Sequence, residues 1–359
     1  KNERIKIGFL SSDIRGGHSI TYFLKTVLLN YDKKKFEIIL FLNQIKEDQT
    51  TKDFINLADK SVNISNLDNL NALNTIRKFQ LDIMVDLMGY TSMQRIELFK
   101  NRLAKKQVLW LGYCNTSGVE NMDYIISDPN LINKNESNLY SEEIIYLPNI
   151  WNCHSGFNFK RTENLPPINK NKYITFGSFN NLNKVNEDVI KCWSKILRHV
   201  KGSKLFIKTA KEKHSLNRVK QSFEKKGVLD SIVFHHNKSN LEDHLNLYKE
   251  IDIALDTFPY NGVTTSFEAI WMGVPVLTME GYNFNSRCGS SINKNLDMDF
   301  LIAKNEEEYV SRAINLSNSY DKYNDIRKKI FDNSEKSPLF NKLDFSKNFY
   351  NSLEKIVHL

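Results

Sequence analysis

The segment Asp256-Thr-Phe-Pro259-Tyr-Asn261-Gly262-Val-Thr264-Thr265-Ser-Phe-Glu268 joins an apolar strand, Ile251 to Leu255, to an apolar helix that stops at Gly273 before Pro275. A strand that turns through glycine into a hydroxyl-bearing helix start presents free backbone N–H groups and the positive end of a helix dipole, a combination that takes anions. Glu268, one turn into the helix, offers a carboxylate to sugar hydroxyls. Phosphate at the helix tip with ribose beside the acid suits a nucleotide sugar. The same residues also fit the S/T-x-x-E capping box, in which Thr265 and Glu268 serve only backbone donors. Residues elsewhere in the chain have to separate the two readings.

Three companions bear on the choice. His18 closes the loop Ser11-Ser12-Asp13-Ile14-Arg15-Gly16-Gly17-His18 after the first strand, where an imidazole with an ordinary pKa of about 6.5 is a natural proton acceptor. A histidine at a helix start can equally make only local hydrogen bonds. Gly16-Gly17 is not a G-x-G-x-x-G, so a dinucleotide site is discounted. In Phe179-Asn180-Asn181-Leu182-Asn183-Lys184, Lys184 can neutralise a leaving diphosphate and Asn181 can hold a base or phosphate. The plain alternative is a solvated lysine in an asparagine turn. His244 stands on the helix before the motif's strand and either reaches the same site or covers it. Asp297-Met298-Asp299 has the D-x-D form of some metal sites but no strand–turn context, so no metal is expected. Walker, H-E-x-x-H and G-x-S-x-G patterns are absent, which leaves NTPase, zincin and lipase readings without their motifs.

The elements that must position these groups alternate. Strands are expected at Ile5 to Leu10, Phe36 to Leu42, Ile83 to Leu87, Val108 to Leu111, Tyr124 to Ile126 and Ile144 to Leu147, with helices at Ser19 to Leu29 and Asn66 to Phe79. A polar connector with Pro166-Pro167 follows. The pattern restarts with strands Tyr173 to Gly177, Lys204 to Lys208, Ser231 to His235, Ile251 to Leu255 and Val274 to Thr278. Helices are expected at Glu187 to His199, up to Lys226, and at Leu241 to Tyr248, with a closing helix at Asp344 to Val357. Strands alternating with helices imply parallel sheets covered on both faces. The expected fold is α/β, with two Rossmann-like doubly wound domains facing a cleft. Residues 1–160 form the first lobe, 161–172 the linker, and 173–359 the second lobe including the closing helix. In such sheets ligands bind at the carboxyl ends of the strands, where all the candidate groups fall.

Bulk properties agree. A chain of 359 residues with 41% hydrophobic and 11% aromatic content supports two cores and no large disorder. No apolar run is long enough for a membrane helix and no leader precedes the first strand, so a membrane partner is not expected. The first residue is lysine rather than methionine, which suggests a boundary within a longer protein. Cys114, Cys153, Cys192 and Cys288 are scattered without a C-x-x-C, so a reducing, cytoplasmic setting is the default. The net charge of +8 is dispersed in short lysine clusters. It helps attract a diphosphate but does not form a nucleic-acid footprint.

Together these segments resemble the catalytic region of the protein O-GlcNAc transferases, in its bacterial and SPINDLY-like members. The resemblance runs through Gly8 to Asp13 with His18, Met88-Gly89-Tyr90-Thr91, and Trp110-Leu-Gly-Tyr113-Cys-Asn115-Thr116-Ser117-Gly118 followed by Met122-Asp123-Tyr124. It continues through Phe179 to Lys184, Asp256 to Glu268, Trp271 to Pro275, Ser286-Arg287, Leu301 to Lys304 and Ser337 to Phe340, in family order over nearly the whole chain. It implies a GT-B fold, a UDP-sugar donor, and inversion at the anomeric carbon with no metal and no other cofactor. His18 then matches the active-site histidine of the first lobe. Asn181 and Lys184 match residues that meet uridine diphosphate, His244 a histidine beside uracil, and Asn261, Gly262, Thr264 and Thr265 the turn and helix tip at the diphosphate. Glu268 matches the acid on ribose. Tyr90, Thr91, Tyr113, Thr116, Ser117 and Gly118 fall at the sugar or acceptor pocket. Val263 replaces a histidine of the animal relatives, and Asn115 replaces a glycine. The implied reaction moves GlcNAc from UDP-GlcNAc to serine or threonine hydroxyls of a protein. The alternatives are a UDP-hexose transferase acting on asparagine, a small molecule or a glycan, and a catalytically silent nucleotide-sugar-binding module.

Overall fold

The computed structural model describes residues 3–163, 165–209, 213–236 and 240–359. The chain divides into two compact units, Lys1–Gly156 with Phe340–Leu359, and Phe157–Leu339.

The first unit runs β1 (Ile5–Ser11), α1 (Ser19–Leu29), β2 (Phe36–Leu42), α2 (Gln49–Leu57), β3 (Lys60–Asn63), α3 (Asn69–Arg77), β4 (Leu81–Asp86), α4 (Ile96–Phe99), β5 (Ala104–Leu109), β6 (Tyr124–Ser127) and β7 (Glu143–Tyr146). These strands form one seven-stranded sheet in the order β3-β2-β1-β4-β5-β6-β7, with every described pairing parallel. Every residue of β2 is buried, as expected of a parallel strand covered on both faces. Its one acid, Glu37, is answered by Lys60 at 2.7 Å and Arg4 at 3.4 Å. The strand order reverses between β1 and β4, so the loops after those strands, carrying His18 and Tyr90, open the crevice of this sheet. Three elements of this unit were not anticipated, one of them the short α4. The Lys-Ser-Val-Asn of β3 is a polar edge strand with no alternation of its own, and α2 is recognisable mainly by Asp48, whose side chain accepts from Thr51 N in a reciprocal cap.

The second unit contains α5 (Ile168–Asn171), β8 (Thr175–Ser178), α6 (Glu187–His199), β9 (Lys204–Thr209), α7 (Lys213–Lys225), β10 (Ile232–His236), α8 (Leu241–Asn246), β11 (Ile253–Leu255), α9 (Thr264–Trp271), β12 (Val276–Met279), α10 (Cys288–Lys294), β13 (Ile302–Ala303), α11 (Glu306–Asn318) and α12 (Tyr320–Asn333). Its sheet runs β10-β9-β8-β11-β12-β13, again with parallel pairings. The order reverses between β8 and β11, and this point receives the asparagine–lysine loop and the turn into α9. The Asn186 side chain caps α6, with Glu187 and Asp188 in the first turn and Arg198 and His199 in the last, so charge and dipole agree. Along β9, Leu205, Ile207 and Thr209 are buried while Lys204, Phe206 and Lys208 are only partly covered, the two-residue period of a strand.

Two assignments made from the sequence change. The closing helix α13 (Lys342–Val357) belongs to the first unit, not the second. Its stripe of Phe345, Phe349, Leu353 and Ile356 is buried. The Phe349 ring lies 4.5 Å from that of Trp110, and Tyr350 donates to Val27 O at 3.0 Å. An apolar stripe goes where a matching face exists, irrespective of chain order. The connector is likewise integrated rather than free. Arg161 donates to Trp271 O at 2.7 Å, Phe331 O at 2.8 Å and Ser334 Oγ at 2.8 Å, and stacks on Trp271 and Phe331. Asn164 of the connector lies outside the described residues. Replacing the fully buried Phe349 with alanine is expected to cost the first unit about 3–5 kcal/mol, read as a lower denaturation midpoint by tryptophan fluorescence; an unchanged midpoint would contradict this placement of α13.

Candidate functional site

The second unit carries the better defined site, built around the turn from β11 into α9. Asp256 follows β11 immediately and is almost fully buried. Its carboxylate accepts from Thr257 N at 2.8 Å, Gly262 N at 2.7 Å and Thr278 Oγ1 at 2.7 Å. Burial pushes its pKa up to about 6, while these donors and the Lys184 ammonium act against the rise. The Phe258–Pro259 peptide within the turn is cis. Asn261 is fully buried: its side chain donates to Thr257 O at 2.9 Å and accepts from Gly289 N at 3.1 Å. These two bonds hold the turn's shape. A Cβ at Gly262 would sit 2.5 Å from both Asn180 Oδ1 and Thr265 Oγ1, so only glycine lets the chain pass here.

The turn delivers α9 with Thr264 at its first position and Val263 before it, and no side chain caps the helix. The capping-box reading therefore fails. Thr265 donates its hydroxyl to Asn180 Oδ1 at 3.0 Å, and the Glu268 carboxylate turns away from the backbone. Among the described residues the N–H groups of Thr264 and Thr265 have no acceptor, the feature by which helix N-termini are able to take anions. Lys184 stands beside it, donating to Asn261 O at 2.8 Å with Nζ 4.0 Å from the Tyr260 ring centroid.

Glu268 is buried, and its Oε2 lies 2.8 Å from His244 Nε2 and 2.8 Å from Tyr248 Oη. His244 Nδ1 in turn lies 3.0 Å from Lys208 Nζ. Phe179 packs against His244 and Tyr248. The structure thus brings Lys184, His244, Asn261, Gly262, Thr264, Thr265 and Glu268 to one edge of the sheet. Asn181 is set apart: it is exposed, and its side chain caps the short turn Leu182–Lys184 by accepting from Asn183 N at 2.9 Å. Its buried neighbour Asn180 makes the contact with Thr265. Asn180, Asp256, Lys208 and Tyr248 were not singled out from the sequence. The strand–Asp–turn pattern signalled Asp256; the others become visible only once the strands are aligned.

The first unit gathers its own polar loops. His18 caps α1, its Nδ1 accepting from Ile20 N at 3.4 Å, while Nε2 lies 3.5 Å from Asp13 Oδ1. Burial lowers its pKa, with Asp13 opposing and Arg15 assisting, so the ring is neutral at pH 7 and this tautomer presents Nε2–H. Tyr90 donates to Ser117 O at 2.7 Å and meets Tyr113 edge-on at 5.4 Å. Thr91 donates to Met88 O. Glu142, buried and not foreseen, accepts from Thr116 Oγ1 at 2.7 Å and from both the N–H and the hydroxyl of Ser117, shaping the turn to exposed Gly118. Gly89 has φ +54°, and a Cβ there would sit 2.3 Å from that of Tyr113. Among the described residues no group of three or more metal-ligating side chains converges, no helix is long and apolar enough to cross a membrane, and no disulfide joins the four cysteines.

Asp256→Asn replaces an acceptor of three bonds with a group that also donates, and is expected to cost about 1–3 kcal/mol of stability. It should also loosen the helix tip, read as lower anion affinity by calorimetry. Wild-type stability and affinity in this variant would contradict the organising role.

A profile of the family described as Glycosyl transferase family 41 matches residues 1–157 and 161–349. The chain is 32% identical over 353 residues to a Solanum lycopersicum protein named "Probable UDP-N-acetylglucosamine--peptide N-acetylglucosaminyltransferase SPINDLY", covering 95% of this chain and 37% of that one. An Arabidopsis thaliana protein of the same name is 31% identical, over 95% of this chain and 38% of its own length. The chain therefore spans little more than a third of these relatives. Among solved structures, a mutant of the Thermobaculum terrenum O-GlcNAc transferase superposes with a TM-score of 0.93 at 27% identity, covering 99% of this chain and 68% of that one. Anabaena HepE in complex with UDP and glucose superposes at a TM-score of 0.64 with 12% identity, covering 98% of this chain and all of that one, a likeness of fold alone. The two parallel sheets are those of a GT-B glycosyltransferase, and the chain belongs to glycosyltransferase family 41.

Proposed function

We propose that this chain carries the catalytic region of an inverting glycosyltransferase that moves GlcNAc from UDP-GlcNAc to serine or threonine hydroxyls of a protein acceptor, with no metal required. The observation that carries the reading is the uncapped tip of α9, with two N–H groups lacking acceptors and Lys184 beside them. The names of the plant relatives support UDP-GlcNAc and a peptide acceptor, and that of the Thermobaculum structure supports transfer of O-GlcNAc. In this mechanism the acceptor oxygen bonds to the anomeric carbon as the bond from that carbon to the β-phosphate oxygen breaks, and its electron pair leaves with UDP. Lys184 and the helix tip stabilise the departing charge. Glu268 accepts from the ribose, with His244 beside the base. Tyr90, Thr91, Tyr113, Thr116, Ser117 and Gly118 line the sugar or acceptor side. The acceptor proton passes to His18. For this His18 gives up the long cap contact and takes the tautomer with a bare Nε2; in the observed tautomer it orients the acceptor as a donor instead.

UDP is expected to raise the melting temperature more than GDP, ADP or CDP; a larger shift with another nucleotide would reassign the base. Lys184→Met should weaken UDP binding roughly 10- to 150-fold, the loss of a charge-assisted hydrogen bond. His18→Ala should leave UDP binding intact and slow sugar transfer by roughly 10²–10⁴-fold. Because burial lowers the His18 pKa, kcat/KM should stay flat as the pH falls to the ordinary histidine value of 6.5 and decline only below it. Full turnover in His18→Ala would remove the residue from the chemistry. Mass spectrometry of co-expressed proteins, with a panel of UDP-sugars, identifies the transferred sugar and separates serine or threonine from asparagine acceptors. UDP binding without transfer or hydrolysis would leave a silent binding module.

A further inference from the structure

Lys208 is the charged residue at the carboxyl end of β9, neighbour to the strand that leads into the Lys184 loop. Nothing in the spacing of the sequence links it to α8 or α9. Its Nζ lies 3.0 Å from His244 Nδ1, His244 Nε2 lies 2.8 Å from Glu268 Oε2, and Tyr248 Oη donates to that same oxygen at 2.8 Å. An ammonium has protons and no lone pair. Nδ1 must therefore be the acceptor in the first contact, which leaves the proton on Nε2, aimed at the carboxylate. The polarity runs one way, from Lys208 through the imidazole to Glu268. Oε2 accepts from two packed residues, His244 at 9% exposure and Tyr248 at 2%, the latter with its hydroxyl closer to Glu268 at 2.8 Å than to Thr265 O at 3.1 Å. Among the described residues Glu268 Oε1 has no donor. A carboxylate with one oxygen satisfied from within and the other bare selects a ligand that brings hydroxyl donors.

We propose that Lys208 is a positioning and specificity-determining residue of the nucleotide site: by fixing the tautomer of His244 it holds Glu268 with one oxygen free to read the paired hydroxyls of a ribose. The proposal rests on the nucleotide reading above. Without Lys208, the other tautomer places a bare nitrogen lone pair against the carboxylate. The acid then rotates to find its donors elsewhere, and the ligand loses its acceptor. Lys208 touches no reacting atom and acts through His244 and Glu268.

The test compares wild type with Lys208→Met, which keeps the aliphatic stem, and Lys208→Arg, which restores a donor-only cation. Binding of UDP, 2′-deoxy-UDP and 3′-deoxy-UDP is measured by calorimetry, and the His244 ring nitrogens of the free protein are followed by ¹⁵N NMR. Wild type is expected to prefer UDP over the deoxy forms by about tenfold or more, the worth of a hydrogen bond to a charged acceptor. Lys208→Met should bring the three affinities together and remove the single Nδ1-acceptor tautomer from the spectrum, and Lys208→Arg should recover both. Equal weakening of all three ligands with the preference intact would mark a merely structural lysine and overturn the proposal, as would an unchanged tautomer in Lys208→Met. Wild type that binds none of the nucleotides would sink the nucleotide reading, while the NMR comparison would still decide whether Lys208 sets the imidazole.

Discussion

The second unit depends on one buried carboxylate. Asp256 is removed from water at the end of β11, where an unpaired charge would be costly. The chain meets that constraint by bending the next residues back so that the N–H groups of Thr257 and Gly262 reach the acid, and by placing the Thr278 hydroxyl from β12 on its other oxygen. Tyr309 donates to the Asp256 carbonyl from α11. A Cβ on Gly289 would come within 2.7 Å of the carboxylate, so α10 is drawn against it as well. Satisfying one acid thus sets the turn, and the turn sets where α9 begins and what its first N–H groups face.

The first unit uses the same device. Asp86 ends β4, the strand across the reversal point from β1, and is fully buried. It accepts from Met88 N at 2.9 Å and Gly89 N at 3.1 Å, and burial pushes its pKa up to about 6. The loop it shapes carries Tyr90 and Thr91. In each sheet, then, an acid at the strand beside the reversal point folds the following loop onto itself. The loop's functional groups rest on a buried anchor and are not left to the flexibility usual for surface loops.

How much of this was legible in the sequence depends on the range of the interaction. The alternation of apolar runs with helical spacing identified the parallel sheets, and the α6 boundaries, Glu187 to His199, were readable because cap, acidic first turn and basic last turn lie next to one another. The edge strand β3 was not readable, since its four polar residues owe their conformation to pairing with β2. Helix α13 carried a clear stripe but no indication of which face it would cover. At the site, Thr264, Thr265 and Glu268 were visible as a motif whose letters also spelled a cap, while the inward contact of Asn180 with Thr265 was not, because which of two adjacent asparagines faces inward depends on the turn.

The sequence by itself determined the fold class, the place of the β11–α9 turn and the chemistry of the residues around it, because those follow from local periodicity, glycine geometry and side-chain type. Tertiary structure decided what each group does. Glu268 gives its carboxylate to His244 and Tyr248 rather than to its own helix, His18 caps α1 through Nδ1 and turns Nε2 toward Asp13, and Lys208 reaches His244 on α8 from β9. Each outcome is a competition among donors and acceptors for partners far apart in the chain, and only the packed fold, in which burial makes an unpaired polar group expensive, settles which partner is taken.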